Sequence, residues 1–210
     1  MLVRIGWYRR GGKRTLDLVL TIPALLVLSP VLFSLVVLVR VKFGAPILFR
    51  QKRPGLNEKP FTLLKFRTMT VAYDAQGNVR SDAERLTLFG RFLRTTSLDE
   101  LPEFFNVLRG EMSIVGPRPL LIKYLGLYTA EQARRHEIKP GITGWAQING
   151  RNAIAWEGKF KLDVWYVDHI SFWLDVKILA LTVWALFRRK GINQPGQATM
   201  EEFMGSGDRQ

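Results

Sequence analysis

The apolar positions of the chain are concentrated in one uninterrupted block. From Leu18 to Val39 it reads LVLTIPALLVLSPVLFSLVVLV, 22 residues without a charge. At about 1.5 Å per residue a helix over this run is about 33 Å long, enough to cross a hydrocarbon core of about 30 Å. Pro30 lies inside the run, where it removes a helical N–H and clashes with the carbonyl of Leu26. Ser29 can hydrogen-bond a carbonyl freed in this way, so Ser29-Pro30 reads as a built-in bend. Lys and Arg flank both ends: Arg4, Arg9, Arg10, Lys13 and Arg14 before it, Arg40, Lys42, Arg50, Lys52 and Arg53 after it, with Asp17 the sole nearby acid. The positive-inside rule places both of these ends in the cytoplasm. A re-entrant helix–break–helix satisfies both flanks, each half of about 11 residues reaching about 16 Å into the bilayer, whereas a single span satisfies the length alone. A cleaved leader fits poorly, because the apolar core is long and no small-residue cleavage site follows Val39.

A shorter apolar stretch, Ile178 to Phe187, cannot span. Phe172 and Trp173 precede it and Arg188, Arg189 and Lys190 follow it, a composition that suits a helix in the headgroup layer or a helix buried in the core. Between the two stretches the alternation over Ile47–Arg53 and Pro60–Met69 predicts short strands joined by a turn at Pro54-Gly55-Leu56-Asn57. Ala72–Ser81 is polar and centred on Gly77-Asn78, which predicts a loop. Asp82–Arg94 and Leu98–Leu108 have helical spacing. The expected fold is α+β: a basic N-terminus and re-entrant membrane hairpin over 1–40, a small cytoplasmic domain with short strands and interfacial amphipathic helices over 41–190, and a polar, Gly-containing extension over 191–210.

Charge narrows the chemistry. The 31 Lys and Arg outnumber 18 Asp and Glu, a formal net charge of +13 over 210 residues, so an anionic partner is expected: nucleic acid, phospholipid headgroups or a phosphorylated substrate. A hydrophobic fraction of 47% excludes a disordered basic tail. The chain has no cysteine and only His136 and His169, which excludes disulfides, thiolate nucleophiles, Cys-based zinc sites, iron–sulfur clusters and multi-histidine metal centres. Carboxylates, Lys, Arg, hydroxyls and a hard cation such as Mg²⁺ remain.

The segment Thr95-Thr96-Ser97-Leu98-Asp99-Glu100-Leu101-Pro102 sets adjacent acids at the opening of a helix, just after Arg91 and Arg94. Ser97-x-x-Glu100 matches a capping box, which explains the acids without catalysis. The same helix opening offers free N–H groups to a phosphate, and a carboxylate beside a bound phosphoryl group can be a nucleophile or a Mg²⁺ ligand. In Gly116-Pro117-Arg118-Pro119 the arginine is stiffened by two prolines, suited to bidentate phosphate binding or simply exposed in a rigid turn. Lys65 and Arg67 share one face of a strand, either a phosphate contact or a solvated edge. Lys139–Asn152 packs glycines, amides and Trp145 into a loop that could close over a nucleotide or sugar, with Trp145 stacking and Gln147, Asn149 and Asn152 hydrogen-bonding, or form a structured turn under the membrane. Asp163, Asp168 and Asp175 stand in an apolar, aromatic region where such acids pair with Arg or Lys.

In combination, the basic N-terminus, the run broken at Ser29-Pro30, Pro54-Gly55, Lys65-Phe66-Arg67-Thr68-Met69, Ser97-Leu98-Asp99-Glu100-Leu101-Pro102, Gly116-Pro117-Arg118-Pro119 and Pro140-Gly141-Ile142-Thr143-Gly144 resemble the bacterial sugar transferase family, the monotopic phosphoglycosyl transferases in their minimal form. The closing Gly196–Phe203 resembles the branch acting on N,N′-diacetylbacillosamine. The resemblance implies transfer of a phosphosugar from a UDP-sugar to undecaprenyl phosphate with release of UMP, a membrane step that opens glycoconjugate synthesis. It implies Asp99 as nucleophile of a ping-pong reaction through an aspartyl–phosphosugar, and Glu100 as holder of Mg²⁺. Lys65, Arg67, Arg94, Arg118, Gln147, Asn149, Arg151 and Asp163 are the implied substrate and phosphate contacts. The implied setting is the cytoplasmic face of the bacterial inner membrane, with anionic phospholipid as a partner, no nucleic acid, and a homodimer left open. Glu103 stands where many relatives carry Gln, and Glu111 where Asp is frequent. The rivals are a basic, membrane-anchored binding protein without catalysis, and a membrane phosphatase using the same carboxylates with water as acceptor.

Overall fold

The computed structural model describes residues 6–74, 76–150, 154–188 and 202–205. One helix, α1 (Lys13–Phe43), contains the whole apolar run and is, among the described residues, the one helix long and apolar enough to cross a membrane. Its helical course continues through Pro23 and Pro30, so the two half-helices expected from Ser29-Pro30 are one element. The reason is local. Pro30 frees the carbonyl of Leu26, and the Ser29 hydroxyl donates to that carbonyl at 2.8 Å, which replaces the lost main-chain bond.

Both ends of α1 dock on the same folded body while its middle stays bare. Near the start, Asp17 accepts from the Ser113 hydroxyl at 2.9 Å and the Ile114 N–H at 3.0 Å, and Arg14 donates to the carbonyls of Val107 and Leu108. Asp175 is fully buried there and accepts from Tyr8, Lys13 and Tyr166 at 2.5, 2.6 and 2.5 Å. Near the other end Leu35 and Val39 pack with Phe66 and Leu93. Between these anchors Leu26, Val27 and Phe33 are each at least 70% exposed.

The body begins with an antiparallel hairpin, β1 (Leu48–Pro54) and β2 (Pro60–Phe66), in the register Leu48↔Phe66 to Pro54↔Pro60. The predicted helix over 82–94 is two, α2 (Asp82–Arg85) and α3 (Leu88–Thr95), because Leu86 leaves the helix to bridge Met69 and Thr87 then caps α3 through the Gly90 N–H at 3.0 Å. A single 3₁₀ turn, Leu98–Glu100, precedes α4 (Glu103–Arg109), which Gly110 ends at φ 79°. The loop over 72–81 is held by an isolated bridge, Tyr73↔Val79.

Two short strands not evident from alternation, β3 (Ser113–Val115) and β4 (Gly141–Thr143), pair in parallel across α5 (Ala130–Ala133). Then follow α6 (Trp145–Asn149), α7 (Trp156–His169) and α8 (Phe172–Arg188). The main core gathers Phe61, Leu63, Met112, Val115, Tyr166 and Ile178. In α8 both sequence readings meet: Asp175 and Ile178 are inside, while Trp173, Val183 and Trp184 present an apolar outer face that is more than half exposed. Of the C-terminal extension, Phe203 is buried against Tyr124, Tyr128, Trp156 and Phe160, so this polar tail contributes an aromatic anchor. Gly196–Glu201, most of the segment resembling the bacillosamine branch, lies outside the described residues.

Candidate active site

The backbone after α3 decides where Asp99 goes. Ser97 has φ 57°, a left-handed conformation that costs a non-glycine residue about 1–2 kcal/mol. It turns the chain so that Asp99 and Glu100 share one 3₁₀ turn against β2. The expected capping box is absent: an N-cap needs an extended backbone, Ser97 does not have one, and its side chain makes no cap bond. Glu100 has charged partners instead. Its Oε1 accepts from Lys65 Nζ at 2.6 Å and also from the Arg118 guanidinium. Burial opposes ionisation of Glu100, but Arg118 and Lys65 outweigh it and hold this carboxyl well below its usual range.

Lys65 also lies 3.2 Å from Glu103, whose carboxyl burial and the Glu100 charge push up. The face of β2 that carries Lys65 is not solvated, since Phe61 and Leu63 on it are core residues. Asp99 is 8% exposed, and no hydrogen bond or ion pair commits its carboxylate among the described residues. Burial raises its pKa to about 6, with Lys65, Arg118 and Arg94 pulling down and Glu100 pushing up. Arg94 is steadied by its Nε bond to the Thr68 hydroxyl at 3.0 Å. The result is a poised carboxylate in a cationic frame, the setting of a nucleophile toward an anionic substrate.

Arg118 is brought to Glu100 by close backbone packing. Gly116 N–H donates to the Thr143 carbonyl at 2.8 Å, and Gly141 N–H to the Pro117 carbonyl at 3.0 Å. A Cβ on Gly141 would sit 2.1 Å from the Gly116 nitrogen, and one on Gly144 2.1 Å from the Gly116 oxygen. These contacts explain why the two glycine motifs, distant in sequence, must both be bare. Arg135 then donates to the Arg118 carbonyl at 2.7 Å while pairing with Asp163 at 2.7 Å, both side chains buried.

The structure gathers Asp99, Glu100, Lys65, Arg94 and Arg118 and commits Asp163, Arg67, Gln147 and Asn149 to other partners. Asp163, expected as a substrate contact, is paired with Arg135 inside the fold, which gives it a positioning role toward Arg118. Arg67 is turned to the carbonyls of Met69, Phe43 and Ala45, where it ties the exit of α1 to β2. The expected loop over 139–152 is largely β4 and α6. Gln147 donates to the Ile142 carbonyl at 3.0 Å and Asn149 to the Trp145 carbonyl at 2.8 Å, both within the segment's own fold. Trp145 stacks on Trp165 at 5.0 Å instead of offering a free face. Arg151 and Asn152 lie outside the described residues. Asp168 and Asp175 pair with Arg134 and Lys13, as acids in such surroundings do.

Sequence reasoning missed Arg135 and Asn106. Asn106 is fully buried, accepts from the Leu64 N–H at 3.1 Å and donates to the Thr62 carbonyl at 2.7 Å, which locks α4 to the open edge of β2. A lone Asn amid Phe104, Phe105 and Val107 was the available signal. For Arg135 nothing in the basic run Arg134-Arg135-His136 marks the buried member.

A family model described as bacterial sugar transferase matches residues 8–189. An uncharacterized sugar transferase, EpsL, of Bacillus subtilis (strain 168) is 58% identical over 196 residues, 93% of this chain and 97% of that protein. The UDP-glucose:undecaprenyl-phosphate glucose-1-phosphate transferase of Escherichia coli (strain K12) is 42% identical over 193 residues, 85% of this chain. A UDP-galactose-lipid carrier transferase of Erwinia amylovora is 38% identical over 197 residues, again 85% of this chain. The chain spans about two fifths of the length of these two enzymes, 40% and 41% respectively.

Proposed function

The chain belongs to the bacterial sugar transferase family, and on that premise we propose that it transfers a sugar phosphate from a UDP-sugar to undecaprenyl phosphate, releasing UMP. The observation that carries this reading is Asp99, buried, uncommitted and beside a Glu100 clamped by Lys65 and Arg118. An Asp99 oxygen attacks the β-phosphorus of the donor. The new Asp–phosphorus bond forms as the bond to UMP breaks, and the electron pair leaves on the UMP oxygen. An oxygen of the lipid phosphate then attacks the same phosphorus and expels the Asp99 carboxylate, giving a lipid diphosphosugar. Lys65, Arg94 and Arg118 bind and orient the phosphoryl oxygens, with most of their hydrogen-bond geometry already set.

The residues fit a Mg²⁺ that arrives with the diphosphate. Only one oxygen of Glu100 is engaged and Asp99 adjoins it, which supplies the one or two carboxylates such an ion takes, the rest being phosphate and water. Among the described residues no larger cluster of metal-ligating side chains occurs. When bound, the ion would neutralise phosphoryl charge.

The re-entrant reading of α1 is part of this proposal. Its support is that both ends dock on one body while the apolar middle is bare, and that Lys and Arg flank both ends. With the outer face of α8 it would hold Asp99 at headgroup level on the cytoplasmic side of the inner membrane.

The test is Mg²⁺-dependent UMP release from a panel of UDP-sugars with and without undecaprenyl phosphate, alongside retention of label on the protein from a β-³²P-labelled donor. Turnover that needs the lipid, and label lost in Asp99→Asn, is expected. Continued release without lipid, beyond one UMP per enzyme, would favour the phosphatase. Turnover surviving in Asp99→Asn would remove the nucleophile assignment.

A further inference from the structure

Arg53, like Arg94, forms no ion pair with an acid among the described residues. Arg53, near the end of β1, donates to the Gln51 side-chain oxygen at 2.6 Å and to the Pro119 carbonyl at 3.5 Å, both neutral groups. Its Nε is buried and lacks a hydrogen-bond partner. Among the described residues no carboxylate pairs with it, whereas Lys65 and Arg118 bond Glu100 and Arg135 bonds Asp163. Because Pro119 directly follows Arg118, the Arg53 guanidinium rests on the same short turn that carries Arg118. Burial and the Arg118 charge together push Arg53 below the usual arginine range. Glu103 offsets this only from a distance, without an ion pair, and a half-buried guanidinium facing a second one is costly unless an anion settles between them.

The chemistry of the proposed reaction says which anion. In an in-line displacement the entering and leaving oxygens lie on opposite sides of the phosphorus. In the first half-reaction Asp99 enters, so UMP leaves from the far side. In the second Asp99 leaves, so the lipid phosphate must enter from that same far side. The two half-reactions therefore need one seat for a phosphate monoester, used first by UMP and then by the acceptor. Glu100 adjoins Asp99, Arg118 reaches Glu100, and Arg53 bonds the Pro119 carbonyl next to Arg118.

Resting on the function proposed above, we infer that Arg53 is a substrate-binding residue which, with Arg118, forms a single phosphate-monoester seat shared in turn by departing UMP and incoming polyprenol phosphate. The seat makes the two ligands mutually exclusive.

The experiment uses the full chain in nanodiscs. In wild type, UMP should inhibit competitively against undecaprenyl phosphate. Arg53→Gln should weaken UMP binding by calorimetry and raise the KM for the lipid phosphate by a similar factor, about 10- to 100-fold, while uridine binding stays unchanged. Arg53→Lys, which keeps the charge without the fork, should fall between and guards against misfolding of the first variant. Unchanged UMP affinity in Arg53→Gln, equal weakening of UMP and uridine, or non-competitive inhibition in wild type would each overturn the shared seat. The binding arm needs no turnover. If the wild type released no UMP from any donor, the functional reading would fall while UMP binding in the two proteins still decided the seat.

Discussion

Arg135 donates a hydrogen bond to the main-chain carbonyl of Arg118 at 2.7 Å, so a buried arginine sets the backbone of a half-exposed one. The buried one is neutralised by Asp163, which frees Arg118 to face Glu100. The charge is thereby divided between a fixed structural pair and a cation available to substrate.

Breaking the structural pair leaves an uncompensated buried charge. Asp163→Ala is expected to lower stability by about 3–5 kcal/mol, measurable as a reduced urea midpoint, because the Arg135 guanidinium then has no counter-ion. Arg135→Met with Asp163→Leu, which removes both charges, should recover much of that stability but not the activity, since the Arg118 carbonyl has lost its donor.

Asp99 is kept at a cost to the fold. Its pKa is raised to about 6 in the folded chain from an ordinary 3.8, so folding favours the protonated form. The stability it contributes is fully present below pH 3.8 and is lost as pH rises through about 6. At pH 7.5 Asp99→Asn should therefore be more stable than wild type by about 1–3 kcal/mol while turnover is abolished. The gain should vanish when melting is repeated at pH 4. In wild type the same ionisation sets the acid limb of the rate, which should rise through about pH 6. A flat rate between pH 5 and 7, or a less stable Asp99→Asn, would contradict this assignment.

Glu103 shares Lys65 with Glu100, and its folded pKa lies above the ordinary carboxyl value. Glu103→Gln should stabilise the protein at pH above about 7, with the gain disappearing on acidification toward pH 4.5. Turnover should fall less than about tenfold, because Lys65 keeps its stronger partner at 2.6 Å. Thermal melts across this pH range, with activity on the same samples, test both statements.

Gly141→Ala should prevent stable folding. The added Cβ would lie 2.1 Å from the Gly116 nitrogen and 2.5 Å from the Thr143 oxygen, main-chain atoms that cannot move aside. Gly126→Ala, where no atom lies within 4 Å of the added carbon, is the matched control and should express normally. Soluble yield in mild detergent distinguishes them.

Much of the architecture follows from local pattern. The uncharged block of Leu18–Val39, the alternating hairpin strands, the helical spacing around α4 and the apolar stretch of α8 are short-range signals, and backbone hydrogen bonding converts such signals directly into elements. The order of motifs was sufficient to identify the family and to single out Asp99, Glu100, Lys65, Arg94 and Arg118. Local signals also misled where a competing partner lay far away in the chain. Ser97 and Glu100 have the spacing of a capping box, yet two distant cations bond Glu100 and the backbone at Ser97 turns left-handed. Asp163 and Arg67 look like substrate contacts by residue type, but in the fold Asp163 pairs with Arg135 and Arg67 bonds main-chain carbonyls. The parallel pairing of β3 with β4 could not be read in advance, because each strand is three residues long and its partner lies 28 residues away. What the sequence determined alone was thus the long apolar helix, the hairpin and the chemical groups at hand. Which cation is neutralised by an acid and which stands ready for a phosphate was decided only by tertiary packing, because a charge's partner depends on distance and burial in three dimensions.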